Sequence, residues 1–329
     1  MPVAPPPLVS VGIPVFNGEA YLEDAIRSVL GQSLDDLELI ISDNASTDRT
    51  SEICRDFASS DPRVVYRRNP RNLGAAPNYN AVYEMARGRY FKWLAHDDRL
   101  LPGYLAATSR ALEEQPDAVL CNTVVRYIDA RGEYLGLYDS GLGAAADPRP
   151  SARFASLVLR SHSCVDFFGL IRRTALERSL LHAPFHGADR ALLAQLALRG
   201  RMVQLREPLV EMREHDRRYT RAQGSARERQ SWHDTSRAGR PSLPTWRLYA
   251  EYVRMVSREP LPAAERARCF AVLAAWWAVN WNAARALVDL ASLVVPDAVG
   301  RAERLKTRLF GAAPGHLSRN QPRWTLPLQ

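Results

Sequence analysis

The chain has 329 residues, 46% of them hydrophobic and 24% charged, the make-up of an ordinary soluble protein with one large core and an appendage. Its net charge of +8 is uneven: residues 1–200 sum to −2 and residues 201–329 to +10. Lys92 and Lys306 are its lysines, so 44 − 2 = 42 of the basic residues are arginine, and no nucleic-acid motif accompanies them. A solvated basic face is the plain expectation for that half, and an acidic lipid or glycan partner the sharper one. The four cysteines lie far apart with no C-x-x-C pair, which argues against a disulfide framework or a zinc site. Met1 to Pro7 lacks the features of a signal peptide, and the apolar run Cys269 to Val279 is too short to cross a bilayer. A cytoplasmic protein is therefore expected, with peripheral contact at the inner membrane face as the alternative.

Val9 to Val15 reads as a first strand, turned by Asn17-Gly18. Tyr21, Leu22, Ala25, Ile26, Val29 and Leu30 then recur at helical spacing. Leu37 to Ser42 is a second buried strand, ending in Asp43-Asn44-Ala45-Ser46-Thr47-Asp48, where Ser and Thr are candidate helix caps. Val64 to Tyr66 is a third strand, and the loop Asn69 to Gly74 opens a helix around Tyr79 to Met85. The fourth strand, Tyr90 to Leu94, stops at His96-Asp97-Asp98, with Leu101-Pro102 three residues on. That pattern places the acids in a tight turn between strand and helix. In an open parallel sheet such a turn lies at the carboxyl edge, where ligands bind. Two adjacent carboxylates suit a hard divalent cation, which takes oxygen ligands; a solvated turn with Asp98 capping the next helix is the bland alternative. Strand and helix alternate through short links, which predicts an α/β fold with a parallel, doubly wound sheet.

These strand ends share one chemistry. Asp43 offers a carboxylate to a ring N–H of uracil, thymine or guanine. Asn72, Gly74 and Asn78 offer amides and a close backbone approach near a helix start, where phosphates are favoured. Taken singly, each is an ordinary loop residue.

Further along, a helix is expected from Pro102 to about Glu114 and a strand from Ala118. A turn follows at Asp129 to Glu133 and a mobile loop or lid over residues 139–152. Val165 to Ile171 reads as a strand, and Gly187-Ala188-Asp189 opens an apolar helix through Leu198. Leu209 to Met212 leads into Arg213-Glu214-His215; residues 216–242 are polar, Arg-rich and irregular. Beyond Pro244 the chain is expected to be helical to about Phe310. There Phe270, Leu273, Trp277, Trp281 and Ala284 recur at helical spacing with Trp276 on a neighbouring face. Such a stripe is expected in a core or a homodimer contact, with an interfacial membrane helix as the alternative.

Together, Val9 to Asn17, Ser42 to Asp48, Asn72-Leu73-Gly74, His96-Asp97-Asp98 and Gly187-Ala188-Asp189 resemble a family-2 glycosyltransferase of the GT-A fold over roughly residues 8–215. The resemblance implies a doubly wound, mixed sheet and an enzyme that moves a sugar, with inversion, from a nucleotide-sugar donor to a hydroxyl acceptor. The donor implied is a UDP-sugar, with dTDP or GDP as alternatives; the acceptor is a glycan, a lipid-linked saccharide or a secondary metabolite. Carried over residue by residue, it makes Asp43 the base-binding carboxylate and Asp97 the ligand of a Mn2+ or Mg2+ ion on the diphosphate. Asp98 falls on the second acid, Asp189 on the catalytic base, and His215 on a late histidine that closes over metal or diphosphate. Pro14, Phe16, Asn17, Asn72, Gly74, Asn78, His96 and Asp98 accompany Asp43 in the implied nucleotide site.

The sequence also departs from the family pattern. Ala95 stands where many relatives have another Asp, and Ala188 where many have Glu. Gln321-Pro322-Arg323-Trp324 is one residue short of the Q-x-x-R-W of processive synthases, so chain polymerisation is not expected. The expected layout is a transferase domain over 1–215, an irregular connection over 216–243 and a helical region over 244–329. Two rival functions are weighed. A nucleotidyltransferase calls for a Gly- and Arg/Lys-rich phosphate loop after the first strand, which Phe16-Asn17-Gly18-Glu19 is not. A degenerate nucleotide-sugar binding protein is opposed by the presence of both Asp97 and Asp189.

Overall fold

The computed structural model describes residues 5–216, 218, 232–237, 243–295 and 302. Its sheet grows outward from β1 (Val9–Val15), whose seven residues are all buried. β1 pairs in parallel with β2 (Leu37–Asp43), Val15 standing opposite Asp43, and on its other side with β4 (Tyr90–Trp93). β3 (Val64–Arg68) extends the parallel array at the edge of β2. The crossovers are α1 (Leu22–Leu30), α2 (Thr50–Ser60) and α3 (Ala75–Met85). β1, β2 and β4 are buried along their whole length, as strands covered by helices on both faces are, while β3 at the edge is largely exposed. α1 buries Leu22, Ala25, Ile26 and Val29, a spacing of three and four residues that lines one face. Each large side chain there contributes about 1.5–3 kcal/mol of burial.

The second half of the sheet is mixed. It comprises β5 (Arg99–Leu100), β6 (Ala118–Ile128), β7 (Tyr134–Tyr138), β8 (Leu170–Arg172) and β9 (Arg201–Arg213). Among the described residues the order is β3-β2-β1-β4-β8-β6-β9-β5, with β7 also on β6. β8 runs antiparallel to β4 and β6, β9 parallel to β6, and β5 antiparallel to β9. This is the doubly wound, mixed sheet that the resemblance implies; the parallel sheet expected from strand–helix alternation holds for β1 to β4 and is corrected by the antiparallel β5, β7 and β8. Around it pack α4 (Tyr104–Glu114), α5 (Pro150–Val158), the short α6 (Arg173–Leu176) and α7 (Ala188–Arg199).

Several local expectations need correction. Residues 139–152 are not a free loop: Leu142–Ala146 forms a 3-10 turn that buries Leu142 and Ala145, and Pro150 already starts α5. Val165–Phe168 is a 3-10 turn, and the strand begins only at Leu170. The turn after Asp98 does not run directly into a helix, because β5 pairs with β9 first. Nor does Asp98 cap α4, whose cap position is Gly103. Ser46 and Thr47 likewise do not cap α2; the Thr50 N–H at its start goes to Asp48 Oδ1 at 3.0 Å.

The C-terminal helices are α8 (Pro244–Arg258), α9 (Ala263–Trp276) and α10 (Asn282–Ala291). Tyr252, Met255, Val256, Cys269, Leu273 and Trp276 share a hydrophobic cluster with Phe154 of α5 and Ala191, Ala194 and Leu198 of α7. The buried face of α9 is thus Cys269, Leu273 and Trp276, not the expected stripe through Phe270, Trp277, Trp281 and Ala284. That stripe fails because the helix ends: Asn280 and Trp281 take positive φ, and Trp281 is 69% exposed. Most of the Arg-rich connection, nearly all of the expected helical stretch after residue 295 and Gln321 to Trp324 lie outside the described residues.

Candidate active site

The carboxyl ends of β1, β2 and β3 form one polar knot. Asp43, the last residue of β2, is fully buried; Oδ1 accepts the Ser46 N–H at 2.8 Å and Oδ2 the Tyr66 hydroxyl at 3.1 Å. Arg68 Nε stands 3.7 Å from the same Oδ2. The turn beyond it carries Ala45 at φ 62°, a conformation that disfavours a Cβ and persists because these bonds hold it. Asn44 joins this turn to the next loop. Its Nδ2 donates to Asn72 Oδ1 and the Gly74 carbonyl, and its Oδ1 accepts from Asn69 Nδ2 and the Leu73 N–H.

The nucleotide candidates divide on this geometry. Phe16 is 43% exposed at the end of β1, and Asn17 beside it accepts the Thr47 N–H at 2.8 Å. Asn72 and Gly74 line the loop just described, while Pro14 is buried within β1. Asn78 corrects the expectation: Oδ1 accepts from Ser42 Oγ and Asn69 Nδ2, and Nδ2 donates to the Ser42 and Val15 carbonyls. All its hydrogen-bonding capacity is spent on the protein, so it braces β1 and β2 and has no atom left for a ligand.

The second cluster lies beyond β4. Asp97 Oδ2 receives His215 Nε2 at 2.8 Å, both side chains being about nine-tenths buried. Burial works against the Asp97 charge, yet the His215 bond, with His96 and Arg218 nearby, outweighs it and holds the carboxyl below its usual range. Asp98 goes the other way: burial, then the adjacent Asp97 charge, push its carboxyl up. Asp98 Oδ1 accepts the Arg213 N–H at 2.9 Å, and Arg213 Nε donates to the Asp97 carbonyl at 3.1 Å, so the end of β9 is tied to the acidic turn. Arg213 also lies over the Tyr21 ring at 4.5 Å, and that ring meets His215 at 5.1 Å. His96 packs on Gly18 so closely that a Cβ there would come within 2.7 Å of its ring.

Asp97 and His215 are a two-member set; among the described residues no group of three or more His, Cys, Asp or Glu is placed to hold a metal. Such a set still fits Mn2+ or Mg2+, which commonly take one or two protein groups and complete their shell with substrate phosphates and water.

The third element is the start of α7. Gly187 occupies its cap position and Asp189 is the second helical residue. Asp189 Oδ1 accepts the N–H of Arg190 at 2.8 Å, and Arg190 Nη2 donates to the His162 carbonyl at 2.8 Å. The Cys164 thiol bonds the Asp189 carboxylate, and burial followed by that negative charge raises the thiol well above its ordinary range. Tyr79 connects the two acidic regions. Burial first, and then the charges of Asp97, Asp98 and Asp189, keep its hydroxyl protonated.

Tyr66, Arg68, Tyr79, Cys164 and Arg213 were not singled out from the sequence. Arg213 alone had a local signal, its place two residues before His215; the others meet the site only through sheet pairing and helix packing.

Comparison with known proteins adds a family to this geometry. The family described as Glycosyl transferase family 2 matches residues 10–180. The GalNAc(5)-diNAcBac-PP-undecaprenol beta-1,3-glucosyltransferase of Campylobacter jejuni is 30% identical over 191 residues, 58% of this chain and 60% of that protein. The chain spans about half the length of the curated relatives it matches. Among solved structures, S. aureus TarS 1-349 in complex with UDP-GlcNAc superposes with a TM-score of 0.59 at 14% identity, covering 95% of this chain and 88% of that one. The mannosyltransferase PcManGT from Pyrobaculum calidifontis, in complex with GDP-Man and Mn2+, gives 0.56 at 18% identity, covering 94% and 84%. At these identities the structural likeness is one of fold.

Proposed function

Because the chain belongs to glycosyl transferase family 2, we propose that its sheet edge transfers a sugar, with inversion, from a UDP-sugar to an acceptor hydroxyl. The observation that carries this is that the charges of Asp97 and Asp98, in the turn after β4, and of Asp189, at the start of α7, all act on one buried phenol, Tyr79. Direct displacement needs one group at the leaving diphosphate and one carboxylate at the attacking hydroxyl, and Asp97 and Asp189 supply those positions. The solved neighbours bind UDP-GlcNAc and GDP-Man, which supports a nucleotide-sugar donor.

In this proposal residues 1–215 carry the transfer and the helices beyond Pro244 shape the acceptor side. Asp43, with Tyr66 and Arg68 around its Oδ2, accepts an N–H of the base. Phe16 and Asn17 border the base, and the Asn72–Gly74 loop and His96 border the diphosphate. Asp97 and His215 would hold Mn2+ or Mg2+, an ion that supplies Lewis-acid stabilisation of the leaving diphosphate. Asp98, bonded to the Arg213 N–H, keeps that turn in place. Asp189 takes the acceptor proton as its oxygen attacks. One base facing the leaving group is the arrangement for inversion.

A thermal-shift panel of UDP, dTDP and GDP, each with and without Mn2+, tests the donor side. UDP with Mn2+ is expected to give the largest rise in Tm. A panel in which no nucleotide shifts Tm sinks the proposal, and a larger rise with GDP sinks the choice of uracil.

A further inference from the structure

A guanidinium stands beside the acidic turn with part of its bonding capacity unspent. β9 ends at Arg213, and the Arg218 N–H donates to the His215 carbonyl at 3.1 Å. The chain therefore turns back and carries Arg218 next to the histidine that bonds Asp97. Below it, β6 and β9 pair with Tyr127 opposite Met212. Arg218 Cζ lies 5.7 Å from the Tyr127 ring centre, Nη1 donates to Glu214, and Nη2 meets the Met212 sulfur at 4.0 Å. The Arg218 side chain is 19% exposed, open enough for a ligand to reach and dry enough for its charge to count.

The two arginines at this strand end differ in what remains of them. Arg213 spends its guanidinium on the carbonyls of Asp97, Asp129 and Ala130 and on the Asp24 carboxylate. Arg218 has one strong acceptor, Glu214. A thioether is a weak acceptor, and among the described residues nothing bonds Arg218 Nε. Burial works against the Arg218 charge and is outweighed by the negative groups around it, Asp98 foremost and Asp97 among them. Yet among the described residues its ion pair is with Glu214 and with neither of those acids. The cation faces the acidic turn across more than contact distance.

A diphosphate seated at that turn would meet positive charge from two directions. The ion proposed at Asp97 and His215 cannot cancel both a diphosphate and Asp97, and the surplus grows as the sugar departs. A guanidinium answers that demand better than an ammonium. Its planar fork can take phosphate oxygens through two nitrogens while the third keeps Glu214.

We infer that Arg218 is a further catalytic residue, whose Nε and Nη2 bind the phosphate that carries the sugar, with Glu214 and Tyr127 holding the fork in place. As the bond from the sugar carbon to the phosphate oxygen breaks, its electron pair stays on that oxygen, and Arg218 stabilises the charge. This rests on the transferase proposal above and adds a residue to the same site.

The test is calorimetry on the full chain with Mn2+ present, using UDP against UMP and GDP against GMP, with Tm measured on each variant. The parent should bind one diphosphate more tightly than its monophosphate. Arg218→Gln should lose about tenfold or more of that diphosphate affinity, the worth of one charge-assisted bond, with monophosphate affinity and Tm close to the parent's. Arg218→Lys keeps the charge without the fork and should fall between. Unchanged or tighter diphosphate binding in Arg218→Gln makes the guanidinium only a counter-charge for the turn and overturns the inference. Equal losses of diphosphate and monophosphate overturn it too, as does a parent indifferent to the second phosphate. If Arg218→Gln lowers Tm, Arg218→Lys decides, and parental diphosphate affinity there removes the fork contact. A parent that binds none of the four nucleotides sinks the transferase proposal itself.

Discussion

Asp189 shows how one side chain separates two roles. A helix-start aspartate is most often a cap; here Gly187 holds the cap position and the Asp189 carboxylate accepts the first-turn N–H of Arg190. Asparagine keeps an oxygen for that N–H, so removing the charge should leave folding nearly untouched. Asp189→Asn is expected to cut turnover by about 10²–10⁴-fold with the melting temperature and UDP affinity close to the parent's; parental turnover on a working acceptor would remove the base assignment. Asp97→Asn should abolish the metal-stimulated part of the rate, because it keeps the shape and loses the charge that a hard cation needs. Full activity after exhaustive chelation would be the contrary result. Asp43 differs from both, being fully buried and already bonded to Ser46 and Tyr66. Asp43→Ala should weaken UDP binding by about 1–3 kcal/mol and also lower Tm, since it strands those two donors. Tyr66→Phe removes one donor and keeps the carboxylate, so calorimetry on the pair separates the binding loss from the stability loss.

At the scale of the element, β4 carries an ionisable group in an unusual place. Lys92 is fully buried, donates to the Phe168 carbonyl and, at 3.3 Å, to the Tyr104 hydroxyl, and sits 4.5 Å from the Tyr104 ring centre. Burial pulls its pKa down to about 7 from 10.5, with the Asp98 charge opposing. Between those values the unfolded chain binds the proton and the folded chain does not, so stability rises with pH. The slope is at most roughly 1.4 kcal/mol per pH unit. Buried thiols, raised above their unfolded values, begin to reverse the trend near pH 9. Guanidinium midpoints should therefore rise from pH 7 to 9 in the parent and stay flatter in Lys92→Met. Equal slopes in the two chains would assign the effect to another group.

The whole molecule is electrically lopsided, with residues 201–329 summing to +10 and the rest to −2. On the same side of the chain, α10 buries Asn282, Ala286 and Asp289 and turns Leu287 and Leu290 outward, 68% and 43% exposed, with Val294 just beyond at 84%. No helix among the described residues is long and apolar enough to cross a membrane. An apolar helix face on a cationic half suits the surface of an anionic bilayer. The protein is expected to sediment with phosphatidylglycerol vesicles, to release in high salt, and to bind less once Leu287 and Leu290 are changed to Glu. Sedimentation indifferent to both salt and those changes would leave the face as a packing surface.

What the sequence determined by itself is local. Unbroken apolar runs at Val9 to Val15 and Leu37 to Ser42, with helical stripes between them, dictate buried parallel strands and crossovers, because period and burial are properties of neighbouring residues. The ends of those runs then mark Asp43, Asp97 and Asp189 as residues at strand and helix termini. Where the apolar pattern was weak, as over 139–152, the sequence carried no signal that Leu142 and Ala145 would be buried. Tertiary structure alone decided the partners. His215 reaches Asp97 across 118 positions, and the Arg213 N–H reaches Asp98 across 115, because β5 pairs with β9 and brings the end of one strand to the turn before the other. Asn78 shows the reverse, an amide well placed in sequence for a ligand and consumed by Ser42, Asn69 and Val15 once β1 and β2 pair. Sheet register and helix packing, which act between residues far apart in the chain, assign each polar atom its partner, and no periodicity along the chain encodes that choice.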